Sequence, residues 1–180
     1  MRPRGPLMIE HRLIEKMLVL AAHELKLIKK HHRVDTLAVD TFVDFIRTYA
    51  DRTHHGKEED ILFQALGTKD LSDRDRAMMN DLVKEHITAR SMVGRLVDGK
   101  DRYLDGEAAG LVTVVENLSS LIDFYPGHIK KEDNIFFPAS EHYFSDTELD
   151  ALLSDFWEFD RKMIHEKYNK LYAELREKYR

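Results

Sequence analysis

Two segments of this sequence carry the same arrangement of histidine and carboxylate, and this repeat constrains the fold more than any other feature. The segments are His55–Asp60 and His128–Asp133; in each, a glutamate follows the histidine by four residues and an aspartate comes next. On an α-helix, a spacing of four places two side chains on one face, one turn apart. A histidine and a glutamate in this geometry can bind the same metal centre.

The repeat extends towards the N terminus. A Glu-His dipeptide lies upstream of each pair, with its histidine at His11 and at His86. His11 precedes His55 by 44 residues (55 − 11), and His86 precedes His128 by 42 residues (128 − 86). Each half holds a lone histidine and then a His-x3-Glu pair, which indicates one helical hairpin used twice. The sequence therefore predicts a dinuclear metal site inside a helical bundle.

Composition excludes several other classes of protein. The 180 residues contain no cysteine, so disulfides, thiolate zinc sites and iron–sulfur clusters are ruled out. A net charge of −5 with interspersed signs gives no basic stripe, so we expect no nucleic-acid partner. No apolar run approaches the length of a membrane span, and we expect no membrane partner and a cytoplasmic location.

Apolar residues recur at intervals of three and four, which predicts an all-α fold. The predicted helices cover about residues 7–32, 35–66, 73–98, 107–143 and 146 to the C terminus, with a loop at 99–106. We expect residues 1–145 to form an up-and-down antiparallel four-helix bundle. Residues 146–180 should form an amphipathic helix, packed on the bundle or at a homo-oligomer contact, with His165 exposed or structural.

Antiparallel packing of the first four helices brings six predicted ligands to one level of the core. Burying four imidazoles and two carboxylates without compensation costs several kcal/mol per ion, whereas two divalent cations satisfy all of them. The predicted ligands are His11, His55, Glu59, His86, His128 and Glu132.

The second helix also offers a competing register, because His54 and Glu58 form another His-x3-Glu pair. We favour His55 and Glu59 because they continue the apolar stripe that includes Leu62. On this interpretation, His54 and Glu58 form an exposed hydrogen-bonded pair that contributes a few tenths of a kcal/mol.

Imidazole and carboxylate ligands without sulfur suit iron, manganese or zinc. Iron is favoured over manganese and zinc, because two oxygen-bridged ions with few protein ligands keep coordination positions for a small molecule. Four histidines and two carboxylates cannot fill two octahedra.

These residues resemble the hemerythrin-like proteins, also described as HHE cation-binding domains. The resemblance covers about residues 7–143 and rests on the two Glu-His dipeptides and on the motifs HHGKEEDILF and HIKKEDNIFFP. It implies a four-helix bundle with a non-haem, oxo- or hydroxo-bridged di-iron centre. It also implies that Glu59 and Glu132 are the bridging carboxylates and that one face is open to O2, NO or peroxide.

This sequence departs from the oxygen-carrying hemerythrins at two places. Those proteins have a second histidine on the third helix where this chain has Arg90, and their last carboxylate is an aspartate one residue further on. The loss of an imidazole at Arg90 argues against reversible O2 carriage. The four-His, two-Glu pattern is more similar to proteins that repair iron centres after nitrosative stress, although this sequence lacks their cysteine.

Three further residues have two interpretations each. Glu15 lies on the face of His11 and is either a labile ligand or an ion-pair partner of Arg90, and we favour the ion pair. Arg90 either extends past the core to solvent or contacts the ligands from outside. Tyr125, one turn before His128, either donates a hydrogen bond to a bound oxygen species or fills the core, and we favour the core.

The sequence leaves three functions open. The first is a di-iron protein that binds, senses or reduces O2, NO or peroxide at an open iron position. The second is iron storage, iron delivery or repair of iron centres. The third is a structural or regulatory bundle that its metals stabilise.

Overall fold

A computed structural model describes the backbone of residues 2–178 and the side chains of residues 2–163. Within that part of the chain, five helical rods are present and no strand, which confirms the all-α prediction. Rod α1 is Arg4–His31, rod α3 is Asp73–Leu104 and rod α5 is Asp146–Lys178. Rod α2 consists of Thr36–Phe45, Ile46–His55, Glu58–Leu62 and Phe63–Gly67, and rod α4 of Ala108–Lys131, Glu132–Phe136, Phe137–Ser140 and Glu141–Tyr143.

Local sequence signals fix where these rods begin and end. The Asp35 carboxylate accepts a hydrogen bond from the Ala38 backbone N–H at 3.0 Å and caps α2. Ser72 caps α3 by accepting from the backbone N–H of Asp75. Gly106 has a φ of 83°, a conformation that favours glycine, and lies in the short connection between α3 and α4.

The predicted loop at residues 99–106 is mostly helix, because α3 continues to Leu104. Gly99 and Gly110 instead lie where α3 and α4 approach each other closely. A Cβ atom added to Gly110 would lie 2.7 Å from the carbonyl oxygen of Gly99, and one added to Gly99 would lie 2.9 Å from Cβ of Thr113. Glycine at these positions therefore serves helix packing and does not mark a loop.

The core has two apolar clusters with a polar layer between them along the rods. One cluster includes Leu18, Val39, Val93 and Leu118. The other contains apolar residues from the opposite ends of the rods and from α5, among them Leu7, Leu66, Leu82, Phe136 and Phe156. Rod α4 packs on α1 and α3, and α2 packs on α1 and α3, so the four rods enclose the polar layer.

Rod α5 packs against the two middle segments of α2. Its apolar residues Leu149, Leu152 and Phe156 are buried, whereas Met163 is only partly buried. Tyr168, Leu171, Leu175 and His165 lie outside the described side chains. None of the helices in the described part of the chain has the length and apolar character needed to cross a membrane.

Candidate metal centre

The polar layer consists of five histidines and two glutamates from the four rods of the bundle. Each of these seven residues is at most 3% exposed, although ionisable side chains are rarely buried so completely without a partner. Rod α1 contributes one histidine, α2 two histidines and a glutamate, α3 one histidine, and α4 a histidine and a glutamate. The seven are His11, His54, His55, Glu58, His86, His128 and Glu132.

Every one of the five imidazoles has its Nδ1 atom beside a carboxylate on the outer side of the layer. A carboxylate accepts hydrogen bonds, so in the neutral form of each ring Nδ1 carries the proton and Nε2 presents its lone pair to the interior. Metal-binding histidines are oriented by partners of this kind. The pairs are His11–Asp133 at 2.7 Å, His54–Glu10 at 2.9 Å, His55–Asp51 at 3.4 Å, His86–Glu59 at 2.7 Å and His128–Glu85 at 2.8 Å.

The inner atoms of the layer have no hydrogen-bond partner among the described residues. They are the Nε2 atoms of all five histidines and both carboxylate oxygens of Glu58 and of Glu132. A buried polar atom without a partner destabilises the fold by about 1–3 kcal/mol. Unpaired donor atoms that face one another in this way fit a metal centre, because metal ions can bind all of them at once.

The donor atoms form two adjacent groups. One contains His11, His54, Glu58 and Glu132, and within it the possible ligand atoms lie within 4.8 Å of one another. The other contains His55, His86 and His128 at the same spacing. The layer therefore contains two neighbouring groups of possible metal ligands.

The two glutamates each face both groups. Oε1 of Glu58 lies 3.5 Å from Nε2 of His54, and its Oε2 lies 3.4 Å from Nε2 of His86. The oxygens of Glu132 lie 3.2 Å from Nε2 of His11 and 3.3 Å from Nε2 of His128. One oxygen of each carboxylate is therefore directed at each group, which is the geometry of a bridging carboxylate.

Burial sets the protonation of the α2 histidines. Loss of water lowers the pKa of His54 to about 4 and lowers that of His55 well below its usual value, so both rings are neutral at pH 7. Neutral imidazole is the form that binds metal. Burial also acts to lower the pKa of His11, but the nearby carboxylates of Asp133 and Glu132 outweigh it and raise that pKa to about 10, so metal binding at His11 must displace a proton.

The pKa values of the two inward carboxylates, Glu58 and Glu132, are shifted in opposite directions. Burial raises the pKa of Glu58 well above its usual value, and the charge of Glu132 raises it further. Burial also acts to raise the pKa of Glu132, but the nearby imidazoles of His128, His11 and His86 lower it overall. Two carboxylates with this mutual repulsion are the kind of pair that a shared cation stabilises.

A change in helix geometry lets both neighbouring histidines of α2 face inward. Residues Ile46–His55 and Glu58–Leu62 are π-helical, with backbone hydrogen bonds to the fifth residue back, such as Gly56 N–H to the carbonyl oxygen of Asp51. The wider turn shifts the inward face relative to an α-helix. Rod α4 has a matching π-helical segment at Glu132–Phe136.

The preferred register on α2 was therefore wrong about which side chains are exposed. His54 and Glu58, predicted to be a surface pair, are 1% and 0% exposed. Glu59, predicted to bridge the metals, lies outside the layer with a side chain 25% exposed and bonds to Nδ1 of His86. His55 faces inward as predicted, beside His54 and not in place of it. The stripe argument failed because it assumed a continuous 3.6-residue period.

Arg90 and Glu15 do not pair with each other. The Arg90 guanidinium donates to Asp51 at 2.7 Å and to Glu59 at 2.7 Å, so it contacts the outer carboxylates of two histidines. Glu15 instead pairs with Arg12 at 3.1 Å and lies outside both groups of donors. Tyr125 is 1% exposed and lies one turn from His128, with ring centroids 6.3 Å apart.

Sequence reasoning missed the outer carboxylates. The glutamate of each Glu-His dipeptide holds the histidine of the following helix: Glu10 bonds to His54, and Glu85 bonds to His128. The lysine before each inward glutamate pairs with the glutamate of the Glu-His dipeptide, Lys57 with Glu10 and Lys131 with Glu85. This second level of the repeat was a usable signal, because it aligns His54, and not His55, with His128.

Comparison with known families agrees with this geometry. The family model for the hemerythrin HHE cation binding domain matches residues 6–140. The chain belongs to this family. Searches of curated proteins and of solved structures found no match. As a hemerythrin-family domain, the chain is a metal-binding helical protein, and its fifth rod begins after the matched region.

Membership of the hemerythrin family also changes the significance of Arg90. Arg90 stands where the oxygen-carrying hemerythrins have a histidine. Even so, five imidazoles face the interior of this domain, because His54 and His55 both point inward. The similarity to iron-centre repair proteins depended on a count of four histidines. Five converge in this hemerythrin domain, so that count gives the comparison no support.

Proposed function

We propose that this protein holds two iron ions in the polar layer and binds O2, NO or peroxide there. His11 and His54 would hold one ion, and His55, His86 and His128 the other, with Glu58 and Glu132 bridging them. Iron would supply the exchange of electrons with the small ligand. The bridging geometry of the two glutamates is the observation that carries this proposal.

The donor count supports an open coordination position. Five imidazole nitrogens and four carboxylate oxygens do not fill two octahedra, so positions stay for solvent or for an added ligand. Three of the five rings belong to one group and two to the other, which makes the two metal positions unequal.

Burial favours a resident centre over iron delivery. All seven donors are at most 3% exposed, and each histidine has a carboxylate that fixes its ring. A carrier that passes iron to an acceptor needs ligands that can exchange readily with that acceptor. Iron storage, delivery and repair are therefore the weaker alternatives.

The test is metal analysis of protein purified without added metal, followed by anaerobic absorption spectra with O2, NO and peroxide. We expect two irons per chain and a spectrum that changes with at least one of the three ligands. Two irons with no spectral response, together with a lower melting temperature after metal removal, would identify a structural bundle. Rapid transfer of iron to an apo acceptor protein would favour delivery.

A further inference from the structure

The first rod differs in charge from the rest of the chain. Residues 2–33 contain eight lysines and arginines and three glutamates, a net charge of +5 (8 − 3), although the whole chain carries −5. The remaining residues therefore carry −10 (−5 − 5). Separation of charge on this scale gives the molecule a basic side, and that side attracts anionic partners.

The exposed side chains of α1 include no acidic residue. Its three glutamates are buried or half-buried, whereas each of the other four rods exposes aspartate or glutamate among its described side chains, such as Asp40 on α2 and Asp81 on α3. The exposed lysines of α1 form no ion pair with another described residue, so their charges are available to a partner. The exposed basic residues of α1 are Arg12, Lys16, Lys26, Lys29 and Lys30.

Aliphatic side chains lie among these basic residues on the side of α1 that faces away from the core. Leu13, Leu20 and Leu27 are seven residues apart, which places them in one row along the helix. Monomeric proteins rarely expose a contiguous apolar surface unless it binds something. The exposed aliphatic residues of α1 are Ile9, Leu13, Val19, Leu20 and Leu27.

Charge and apolar character together select the class of partner. A second copy that docked through its own α1 would bring two basic faces together, and like charges repel. The acidic α5 of a second copy has the opposite charge, but Ala151 and Trp157 are the only apolar side chains that it exposes in its described part. Nucleic acid offers phosphates but no apolar layer beneath them. A bilayer with anionic headgroups offers both.

We propose that α1 is the surface by which this protein binds an anionic phospholipid membrane. The leucine row enters the boundary between headgroups and acyl chains, and the lysines beside it extend to the headgroups. Rod α1 has 28 residues and is about 42 Å long, so it lies along the membrane surface. The sequence predicted no membrane partner because it has no spanning segment, but a helix that lies on the surface needs none. This binding does not depend on the metal centre and goes beyond the proposed function.

The test is co-sedimentation of the full-length protein with two kinds of vesicle, phosphatidylcholine alone and phosphatidylcholine with about one-third phosphatidylserine. We expect binding to the anionic vesicles to be at least about tenfold tighter. Binding should weaken as the salt concentration rises from about 0.1 M to about 1 M. Equal binding to both vesicles, or binding to neither, would overturn the proposal.

Paired charge variants test whether α1 is the contact. Lys16→Gln combined with Lys30→Gln should weaken binding to the anionic vesicles about 25-fold, or about fivefold per lysine. Arg76→Gln combined with Lys84→Gln changes the net charge equally, at exposed residues on α3, which lies diagonally across the bundle from α1. This control should bind as the wild type does. Equal weakening in the two double variants would show that net charge, and not α1, determines binding.

A matched apolar pair separates a membrane from other anionic partners. Leu20 on α1 and Ile87 on α3 are both 57% exposed. Leu20→Gln should weaken vesicle binding about fivefold, because less apolar surface leaves water, and Ile87→Gln should leave it unchanged. Circular dichroism and metal content should match the wild type in all variants, because the substituted residues are exposed.

Two results would assign the face to a different partner and overturn the proposal. Wild-type vesicle binding by Leu20→Gln, together with loss of binding in the lysine variant, would identify a general polyanion site. A dimer that forms without lipid and that Leu20→Gln dissociates, as judged by sedimentation velocity, would identify an interface between copies of this chain.

Discussion

At the scale of single residues, some side chains form the polar layer and others orient them from outside. Glu58 and Glu59 are neighbours in sequence, yet Glu58 is fully buried between two histidines and Glu59 bonds to the outer nitrogen of His86. The sequence predicted five of the seven inward residues, namely His11, His55, His86, His128 and Glu132. It assigned the other two, His54 and Glu58, to the surface because His55 and Glu59 continue the apolar stripe of an uninterrupted α-helix.

Substitution of the two adjacent glutamates tests this distinction. We expect Glu58→Ala to leave at most one iron per chain, because it removes an oxygen from each group of donors. Glu59→Ala should keep two irons but weaken their binding about 10–100-fold, the usual effect of losing an outer partner of a ligand. The measurement is iron content by mass spectrometry together with competition against a chelator. The reverse order of effects would show that Glu59 is the bridge.

The histidines offer a second test at this scale. His54→Ala should remove one of the two rings that serve the His11 group and reduce iron to about one per chain. His23→Ala is the matched control, because His23 is an exposed histidine on the outside of α1. Iron content is again the measurement. Equal iron in the two variants would exclude His54 as a ligand.

At the scale of helices, the order, type and number of the rods follow from apolar spacing and from caps such as Asp35 and Ser72. The inner face of α2 could not be predicted in the same way, because its π-helical turns change the period where the ligands lie. The end of α3 was missed for a different reason: Gly99 marks a close helix contact and not a turn. The first error comes from a local change of helix period and the second from a close contact between helices, and a uniform apolar spacing contains neither.

The contact between α2 and α5 gives a prediction at this scale. A Cβ atom added to Gly56 would lie 2.7 Å from the ring of Phe159, whereas nothing lies within 4 Å of one added to Gly94, another helical glycine. Gly94→Ala should stabilise the fold by about 0.5–1 kcal/mol through helix propensity. Gly56→Ala should destabilise it, because the Phe159 ring must move. Urea unfolding checks both, and equal gains in stability would contradict the close contact.

The same contact includes a buried lysine. Lys57 is fully buried and pairs with Glu10 and, at 2.7 Å, with Asp160 of α5, whose side chain is 39% exposed. Loss of a partner from a buried pair destabilises by about 3–5 kcal/mol, and exposure of Asp160 reduces this to about 1–2. We therefore expect Asp160→Ala to lower the free energy of unfolding by that amount. The exposed Asp155→Ala is the control, and equal stability of the two variants would contradict the ion pair.

At the scale of the whole molecule, two apolar clusters enclose a layer of seven ionisable side chains. Such a layer destabilises a metal-free fold, because its inner atoms have no hydrogen-bond partners in the described part of the chain and its two buried glutamates repel each other. The bundle and its cation centre therefore depend on each other. Rod α5 adds Asp160 and Phe159 to the outer side of α2, beyond the region that the family model matches.

The most direct test of the account is a crystal structure of the iron-loaded protein with anomalous data collected at the iron edge. We predict two iron peaks about 3.5–4 Å apart. One should contact His11 and His54 and the other His55, His86 and His128, with one oxygen of Glu58 and one of Glu132 on each ion. A single peak would contradict the dinuclear assignment, and a metal bound by Glu59 in place of Glu58 would contradict the ligand assignment.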